Sequence, residues 1–226
     1  IIDYKIDNFK IYISKFKYLI TLYNMKWILI LRPQQYVKNY FIFLPLFFFS
    51  KITDPNLLTK TFVAFISFSI SASGIYILND YLDMSEDRKH PVKKHRPLAA
   101  GTISIKASFI LMISCILFGS LIMLSQSHSA FLILLSYLIL NIGYCFKIKN
   151  IPILDITSVS IGFVLRLFLG AFIANIPLSN WIVLMTFLLS LFLVLAKRRD
   201  DILHLIKNKK EMRKVIHGYN LRFIDG

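Results

Sequence analysis

The chain has 226 residues, of which 56% are hydrophobic and 20 are phenylalanine, and its formal net charge is +15. The basic residues lie between long apolar runs, which argues against a nucleic-acid partner and favours a membrane protein with basic loops. Both cysteines, Cys115 and Cys145, fall inside apolar segments, where cysteine packs as a small hydrophobic residue.

The N-terminal stretch mixes lysines with aromatic and aliphatic residues. Over residues 9–31 this pattern predicts an amphipathic helix that lies on the membrane surface. The sequence RPQQYVKN follows and carries Arg32 and Lys38. These two bases are either interfacial anchors or substrate contacts.

Six apolar runs are of membrane length or slightly shorter, and together they predict an all-α, multi-span transmembrane helical bundle. The runs cover residues 36–50, 61–79, 105–125, 129–146, 153–174 and 181–196. The basic groups at 88–96, 147–149 and 197–199 all fall on one side of such a bundle. The positive-inside rule places that side, with the N-terminus and the segment 197–226, in the cytoplasm of a multi-pass cell-membrane protein.

Three aspartates follow the second run at positions i, i+3 and i+7: Asp80, Asp83 and Asp87. A continuous α-helix would bring them onto one face, within an arc of roughly 60°. Like charges this close are unfavourable unless a cation joins them. Oxygen-only ligation suits Mg²⁺, which usually takes one or two carboxylates plus phosphate oxygens of a substrate. The alternative is a solvated acidic helix end.

A run of bases comes directly after the acids, and Pro91 and Pro97 predict a loop there, over 89–104, because proline ends a helix. The bases are Arg88, Lys89, Lys93, Lys94 and Arg96. Acids that bind a metal beside bases that bind phosphate predict a pyrophosphate site.

In the fifth run, Asp155, Gly162 and Arg166 share one helical face, so that face carries two charged residues. A charged side chain at the bilayer centre costs at least ~2.5–3.5 kcal/mol unless it faces a partner or water. The face therefore predicts the polar wall of an internal cavity. In the alternative interpretation, the charges pair with other helices and the glycine permits close helix packing.

The stretch NDYLDMSED and the following RKHPVKKHRPLAAG, from Asn79 to Gly101, resemble the first aspartate-rich motif of the UbiA superfamily of membrane prenyltransferases. The second part is closer to the branch of decaprenyl-phosphate phosphoribosyltransferases. RPQQYVKN and the GFVLR of the fifth run are also similar to that branch. The resemblance covers nearly the whole chain from Arg32 onward.

The sequence departs from the superfamily after the sixth run. Most members have a second aspartate-rich motif, but this loop reads AKRRDDI, which is similar to a KRxxE-type loop of the phosphoribosyltransferase branch with Asp201 at the acidic position. Lys197 and Arg198 are either phosphate ligands or positive-inside anchors. Members have about nine spans, so we expect this chain, with about six, to be a fragment of a UbiA-like bundle.

The resemblance implies a transferase with Mg²⁺ on Asp80, Asp83 and Asp87. Either a polyprenyl phosphate takes phosphoribosyl from phosphoribosyl pyrophosphate, or a prenyl diphosphate gives its isoprenoid to an aromatic or other acceptor. The implied substrate-binding residues are Asn79, Arg88, Lys93, Lys94, Arg96, Arg32, Lys38, Asp155, Arg166, Lys197, Arg198 and Asp201. A membrane transporter is the alternative of another class, because intramembrane charges also mark ion pathways. A homo-oligomer is left open.

Overall fold

The computed structural model describes residues 25–208, and every regular element in that range is helical. The α-helices are α1 (25–31), α2 (Leu44–Phe48), α3 (Pro55–Leu82), α4 (Met84–Lys89), α5 (Ile105–Gln126), α6 (His128–Phe146), α7 (Leu154–Ala174) and α8 (Asn180–Asn208), with 3₁₀ helices at Pro33–Phe43, Lys93–His95 and Ile148–Asn150. Most of the predicted surface helix over 9–31, and the end of the segment 197–226, lie outside the described residues.

Within residues 25–208, five helices are long and apolar enough to cross a membrane: α3, α5, α6, α7 and the part Asn180–Asp200 of α8. Four of the six predicted runs fall inside them and a fifth, 153–174, starts one residue before α7, so the all-α multi-span bundle is confirmed. The remaining run, 36–50, has a different local form. It consists of the 3₁₀ helix Pro33–Phe43 and the short α2, whose first turn contains Pro45. Proline is well accommodated in a first turn because its missing N–H has no partner there, so a new helix begins at this point.

Short polar side chains determine where three of the long helices begin. Asp54 accepts hydrogen bonds from the amides of Asn56 (2.9 Å) and Leu57 (3.2 Å) at the start of α3. Ser104 and Ser127 each accept one amide bond, at 3.3 Å, at the starts of α5 and α6. Such caps satisfy amides that have no partner within the helix.

Helix α3 lies at the centre of the bundle and contacts α5, α6, α7 and the 3₁₀ helix Pro33–Phe43. It approaches α5 closely at Gly119, where the Ser67 hydroxyl donates to the Gly119 carbonyl at 2.6 Å. A Cβ at Gly119 would lie 2.6 Å from the Ser67 carbonyl oxygen and would overlap the Ser71 hydroxyl. Small residues thus bring two membrane helices into backbone contact.

We expect Gly119→Ala to destabilise the protein by about 1–3 kcal/mol, because the added methyl group overpacks the α3–α5 contact. The matched control is Gly143→Ala on α6, where a Cβ would lie 3.4 Å from the flexible end of Ile148. Both changes gain helix propensity. Thermal unfolding in detergent measures the difference, and equal unfolding temperatures for the two variants would contradict the tight α3–α5 contact.

A second close approach joins α7 to the 3₁₀ helix Pro33–Phe43. A Cβ at Gly170 would overlap the carbonyl oxygen of Ile42 and would lie 2.8 Å from its carbonyl carbon. The neighbouring Asn39 is fully buried, and its amide donates to the Ser69 hydroxyl of α3 at 2.9 Å. This packing fixes Asn39 against α7.

Candidate active site

The helix that carries the acidic motif breaks at Asp83, between α3 and α4. Asp83 has φ −88° and ψ 0°, outside the helical range, although its amide still donates to the Asn79 carbonyl at 2.9 Å. The predicted single helical face is therefore interrupted. Asp80 and Asp87 point toward one arginine, whereas Asp83 pairs with a different base.

Asp80 and Asp87 are linked by Arg96 from the loop. One guanidinium nitrogen, Nη1, lies 3.1 Å from Asp80 Oδ1 and 2.5 Å from Asp87 Oδ2. Arg32 also binds Asp80, with its Nε 3.1 Å from Oδ2 and its Nη2 against Oδ1. Both carboxylates are nearly buried, with 3% and 4% of their side-chain surface exposed. Charge pairing is what makes such burial tolerable.

Asp83 is paired with Lys149, which lies in the 3₁₀ helix Ile148–Asn150 just before α7. The Asn79 amide donates to the other carboxylate oxygen of Asp83 at 3.0 Å. Sequence reasoning treated Lys149 only as part of a basic loop, because nothing local links two residues 66 positions apart. The structure adds this lysine to the candidate site.

The acidic residues fit a magnesium ion as a pair. In the described part of the chain, no three His, Cys, Asp or Glu side chains are grouped so that they could hold one metal ion. However, Asp80 and Asp87 both contact one cationic nitrogen of Arg96, so a single small cation can sit between them. Two carboxylates, completed by phosphate and water oxygens, are a usual ligand set for Mg²⁺.

The basic loop after α4 is held by bonds to its own backbone. His90 Nδ1 accepts the amides of Val92 (3.1 Å) and Lys93 (3.2 Å). Arg88 Nε donates to the Ala99 carbonyl at 3.2 Å. Lys94 is exposed, whereas Arg96 contacts two of the acids.

Arg166 lies in the interior with neutral partners. Its guanidinium donates to Asn39 Oδ1 (2.8 Å), the Gly162 carbonyl (2.6 Å) and the Tyr137 hydroxyl (3.0 Å). Its central carbon lies about 5 Å from three aromatic ring centroids, at 5.0, 4.8 and 5.4 Å for Phe68, Tyr137 and Phe163. These rings face a cation favourably. Asn39 and Tyr137 gave no signal in the sequence beyond their polarity within apolar runs.

Lys38 lies next to this arginine, in the 3₁₀ helix Pro33–Phe43, outside the five spanning helices. Its side chain is exposed, yet the surrounding protein removes part of the hydration of the ammonium group. The pKa of Lys38 is lowered to about 8, chiefly by this desolvation and in smaller part by the charges of Arg166, Lys197 and Arg32. The charges of three other predicted substrate-binding residues, Arg166, Lys197 and Arg32, thus act on Lys38.

Asp155 has a different kind of partner from Arg166, a charged side chain of α8. Its carboxylate is fully buried and receives Arg198 Nε at 2.9 Å and Nη2 at 2.8 Å, which ties α7 to α8. This arrangement matches the helix-pairing alternative for Asp155. Lys197 is exposed one residue before Arg198. The side chain of Asp201 lies outside the described part of the structure.

An apolar groove of about 430 Å³ runs between α7 and α8. It is lined by Ile161, Val164, Phe168, Leu178, Asn180, Val183, Leu184 and Phe187, and none of the acids borders it. The groove is separate from the charged residues. The polar cavity expected beside the acids stays a prediction.

Three kinds of comparison place this arrangement among known proteins. The model of the UbiA prenyltransferase family matches residues 40–220. A decaprenyl-phosphate phosphoribosyltransferase of Corynebacterium glutamicum is 34% identical over 201 residues, 86% of this chain and 60% of that relative. The protein with the same name from Mycolicibacterium smegmatis is 32% identical over 200 residues, 85% of this chain and 63% of the relative. The chain thus spans less than two thirds of the length of these relatives.

The fold is also similar to solved structures. A UbiA homologue from Archaeoglobus fulgidus bound to GPP and Mg²⁺ superposes with a TM-score of 0.72 at 20% identity, over 85% of this chain and 69% of that chain. A digeranylgeranylglyceryl phosphate synthase structure gives a TM-score of 0.67 at 17% identity, over 89% and 72%. At these identities the likeness concerns the fold.

Proposed function

Because this chain belongs to the UbiA prenyltransferase family, we propose that it is a membrane transferase that moves phosphoribosyl from phosphoribosyl pyrophosphate to a polyprenyl phosphate. The observation that carries the proposal is the cluster in which Asp80 and Asp87 share Arg96 while Arg32 binds Asp80. Carboxylates for a metal and arginines for phosphate meet there. The names of the relatives from Corynebacterium and Mycolicibacterium support the choice of donor and acceptor.

In this reaction, a phosphate oxygen of the acceptor attacks the anomeric carbon of the donor ribose. The bond from that carbon to the pyrophosphate breaks, and its electron pair leaves with the pyrophosphate. Mg²⁺ held by Asp80 and Asp87, with Asp83 on the adjacent turn, would neutralise the leaving group. Arg96 and Arg32 release the carboxylates and donate hydrogen bonds to pyrophosphate oxygens. Lys93, Lys94 and Arg88 add positive charge beside them.

The same cluster supports a site on the cytoplasmic face of the cell membrane. The acids lie at the C-terminal end of α3, Lys147 and Lys149 follow α6, and Lys197 lies near the end of the spanning part of α8. Basic groups collect on the cytoplasmic side of membrane proteins. A soluble donor reaches that side directly.

Prenyl transfer is the second candidate, and one observation favours it. The Archaeoglobus homologue with the same fold was solved with GPP and Mg²⁺, and a pair of carboxylates beside arginines also suits a prenyl diphosphate. In that reaction the diphosphate leaves an allylic carbon, and an acceptor captures the resulting carbocation. The acidic cluster serves both donors, because each carries a pyrophosphate.

The test is a two-donor experiment on membranes that contain the protein. We expect labelled phosphoribosyl pyrophosphate plus polyprenyl phosphate to give a lipid-soluble ribosyl product, and to give none when magnesium is chelated. Membranes without the protein are the control. A lipid product that forms only from labelled prenyl diphosphate would overturn the phosphoribosyl proposal in favour of prenyl transfer.

A further inference from the structure

We propose that Arg96 competes with the metal ion for the carboxylates of Asp80 and Asp87, and that the donor pyrophosphate favours the metal by giving Arg96 a new partner. The inference rests on the proposed function in one respect, that the donor carries a pyrophosphate, and it holds for either candidate donor. It concerns how the metal ion and the donor enter the site, and it leaves the chemical step as described.

The first support is the position of one guanidinium nitrogen. Nη1 of Arg96 lies 3.1 Å from Asp80 Oδ1 and 2.5 Å from Asp87 Oδ2. A magnesium ion on the same two oxygens, at about 2.0–2.1 Å from each, would lie less than about 5 Å from this nitrogen. Two cations at that distance repel each other. The guanidinium and the metal ion therefore compete for the same oxygens.

The second support is the balance of charge around the acidic motif. Arg32 binds Asp80 and Lys149 binds Asp83, in addition to the contacts of Arg96. The three aspartates are thus matched by three bases. A divalent cation alone would leave excess positive charge among these largely buried groups, and a pyrophosphate alone would leave excess negative charge. When the two bind together, their charges largely cancel.

The third support is the part of the Arg96 side chain that makes no contact. Among the described residues, its hydrogen bonds both come from Nη1, so Nε and Nη2 can still donate. The side chain is 25% exposed, against 3% and 4% for the carboxylates that it contacts. Its backbone is extended and directly follows the short 3₁₀ helix of the loop. Arg96 can therefore turn toward a pyrophosphate and donate charge-assisted hydrogen bonds to it.

The consequence is a coupling between the two ligands. A metal ion alone must displace Arg96 from its ion pairs and leave the guanidinium without an acceptor. Pyrophosphate oxygens provide that acceptor, so each ligand raises the affinity of the site for the other. The site thereby selects a metal pyrophosphate over a free metal ion.

The first test measures metal binding to the detergent-solubilised protein without substrate. Mn²⁺ serves as the probe, because the paramagnetic resonance signal of the free ion reports how much is unbound. We expect Arg96→Gln to bind Mn²⁺ at least about tenfold more tightly than the unchanged protein, or about 1.4 kcal/mol. The matched control, Lys89→Gln, removes the same charge from an exposed residue of α4. It should change the affinity less than about twofold, because solvent and salt screen that charge.

The second test measures the coupling itself. Arg96→Gln should bind the preformed complex of Mn²⁺ with inorganic pyrophosphate no more tightly than the unchanged protein, because the variant lacks the charged donor. The preference for the complex over the free ion should therefore shrink at least about tenfold. A purely structural role for Arg96 would instead weaken the binding of both. Titration calorimetry on the two proteins gives these affinities.

A measurement on the unchanged protein covers the case in which Arg96→Gln does not fold. Phenylglyoxal modifies accessible arginine side chains, and mass spectrometry follows each arginine separately. We expect millimolar Mg²⁺ to raise the rate of modification at Arg96 several-fold, because the guanidinium leaves its ion pairs, and added pyrophosphate to lower it again. Arg88 is the internal reference for Mg²⁺ alone, since it is exposed and its Nε donates to a backbone carbonyl.

Four outcomes would overturn the inference: Arg96→Gln binds Mn²⁺ no more tightly than the unchanged protein, Lys89→Gln shows the same gain, the preference for the pyrophosphate complex does not shrink, or Mg²⁺ leaves the reactivity of Arg96 unchanged. None of these measurements involves turnover. They can fail while the two-donor experiment still yields the ribosyl lipid. Absence of that lipid leaves metal binding and arginine reactivity measurable.

Discussion

We expect Asp87→Asn to lower kcat by at least about a hundredfold, with no recovery at high donor concentration. The metal that Asp87 helps to hold is expected to stabilise the leaving group by several kcal/mol in the transition state, and each 1.36 kcal/mol is a factor of ten in rate. An amide is neutral and a poorer magnesium ligand than a carboxylate. Steady-state kinetics with varied donor and magnesium concentrations measure the effect.

Two further variants distinguish the loss of a metal ligand from the loss of a negative charge alone. Glu86→Gln removes the same charge from the neighbouring, exposed residue of α4 and should leave the rate unchanged. Arg96→Gln removes the ion pair of Asp87 while keeping its carboxylate, and should mainly raise the KM for the donor. If Asp87→Asn regained full turnover at saturating donor, its carboxylate would not be a metal ligand and the mechanism would be wrong.

The largest loss of stability is expected for Asp155→Ala, at about 3–5 kcal/mol, because it leaves Arg198 buried without its carboxylate partner. For a chain of this size that corresponds to a fall of about 6–20 °C in the unfolding temperature. The unfolding temperature in detergent, followed by loss of the monodisperse peak on size exclusion, is the measurement.

The exposed Asp200→Ala on α8 is the control and should change the unfolding temperature little. The double variant Asp155→Leu with Arg198→Leu should be more stable than either single change, because it leaves no unpaired buried charge. Additive losses in the double variant would show that the two side chains do not depend on each other.

The long helices could be predicted from the sequence because each rests on local information. An apolar run of membrane length, bounded by Asp54, Ser104 or Ser127, contains both the reason for the helix and its starting point. The local structure of the 36–50 run was harder to predict, since Pro45 permits either a kinked spanning helix or the start of a new helix. Its 3₁₀ part contacts α7 at Gly170, a long-range contact that the run itself does not reveal.

The sequence predicted which charged residues belong to the candidate site, but not which of them pair with one another. Spacing brought Asp80, Asp83 and Asp87 together on the assumption of an unbroken helix, and the break at Asp83 separates them into different ion pairs. Arg166 meets Asn39 across 127 positions, a contact that no local periodicity contains. The charges that matter are visible in the sequence, whereas their partners are set by the packing of the helices.

The length of α3 has a consequence for the depth at which the reaction occurs. Its 28 residues extend about 42 Å, whereas the hydrocarbon layer of a bilayer is about 30 Å thick. Unless the helix is strongly tilted, one or more turns extend past the hydrocarbon, and Asp80 lies in the last turn. We therefore expect the carboxylates to stand at the level of the phospholipid headgroups. A phosphorylated lipid already carries its phosphate at that level, so it can reach the site by lateral diffusion while its chain stays in the hydrocarbon layer.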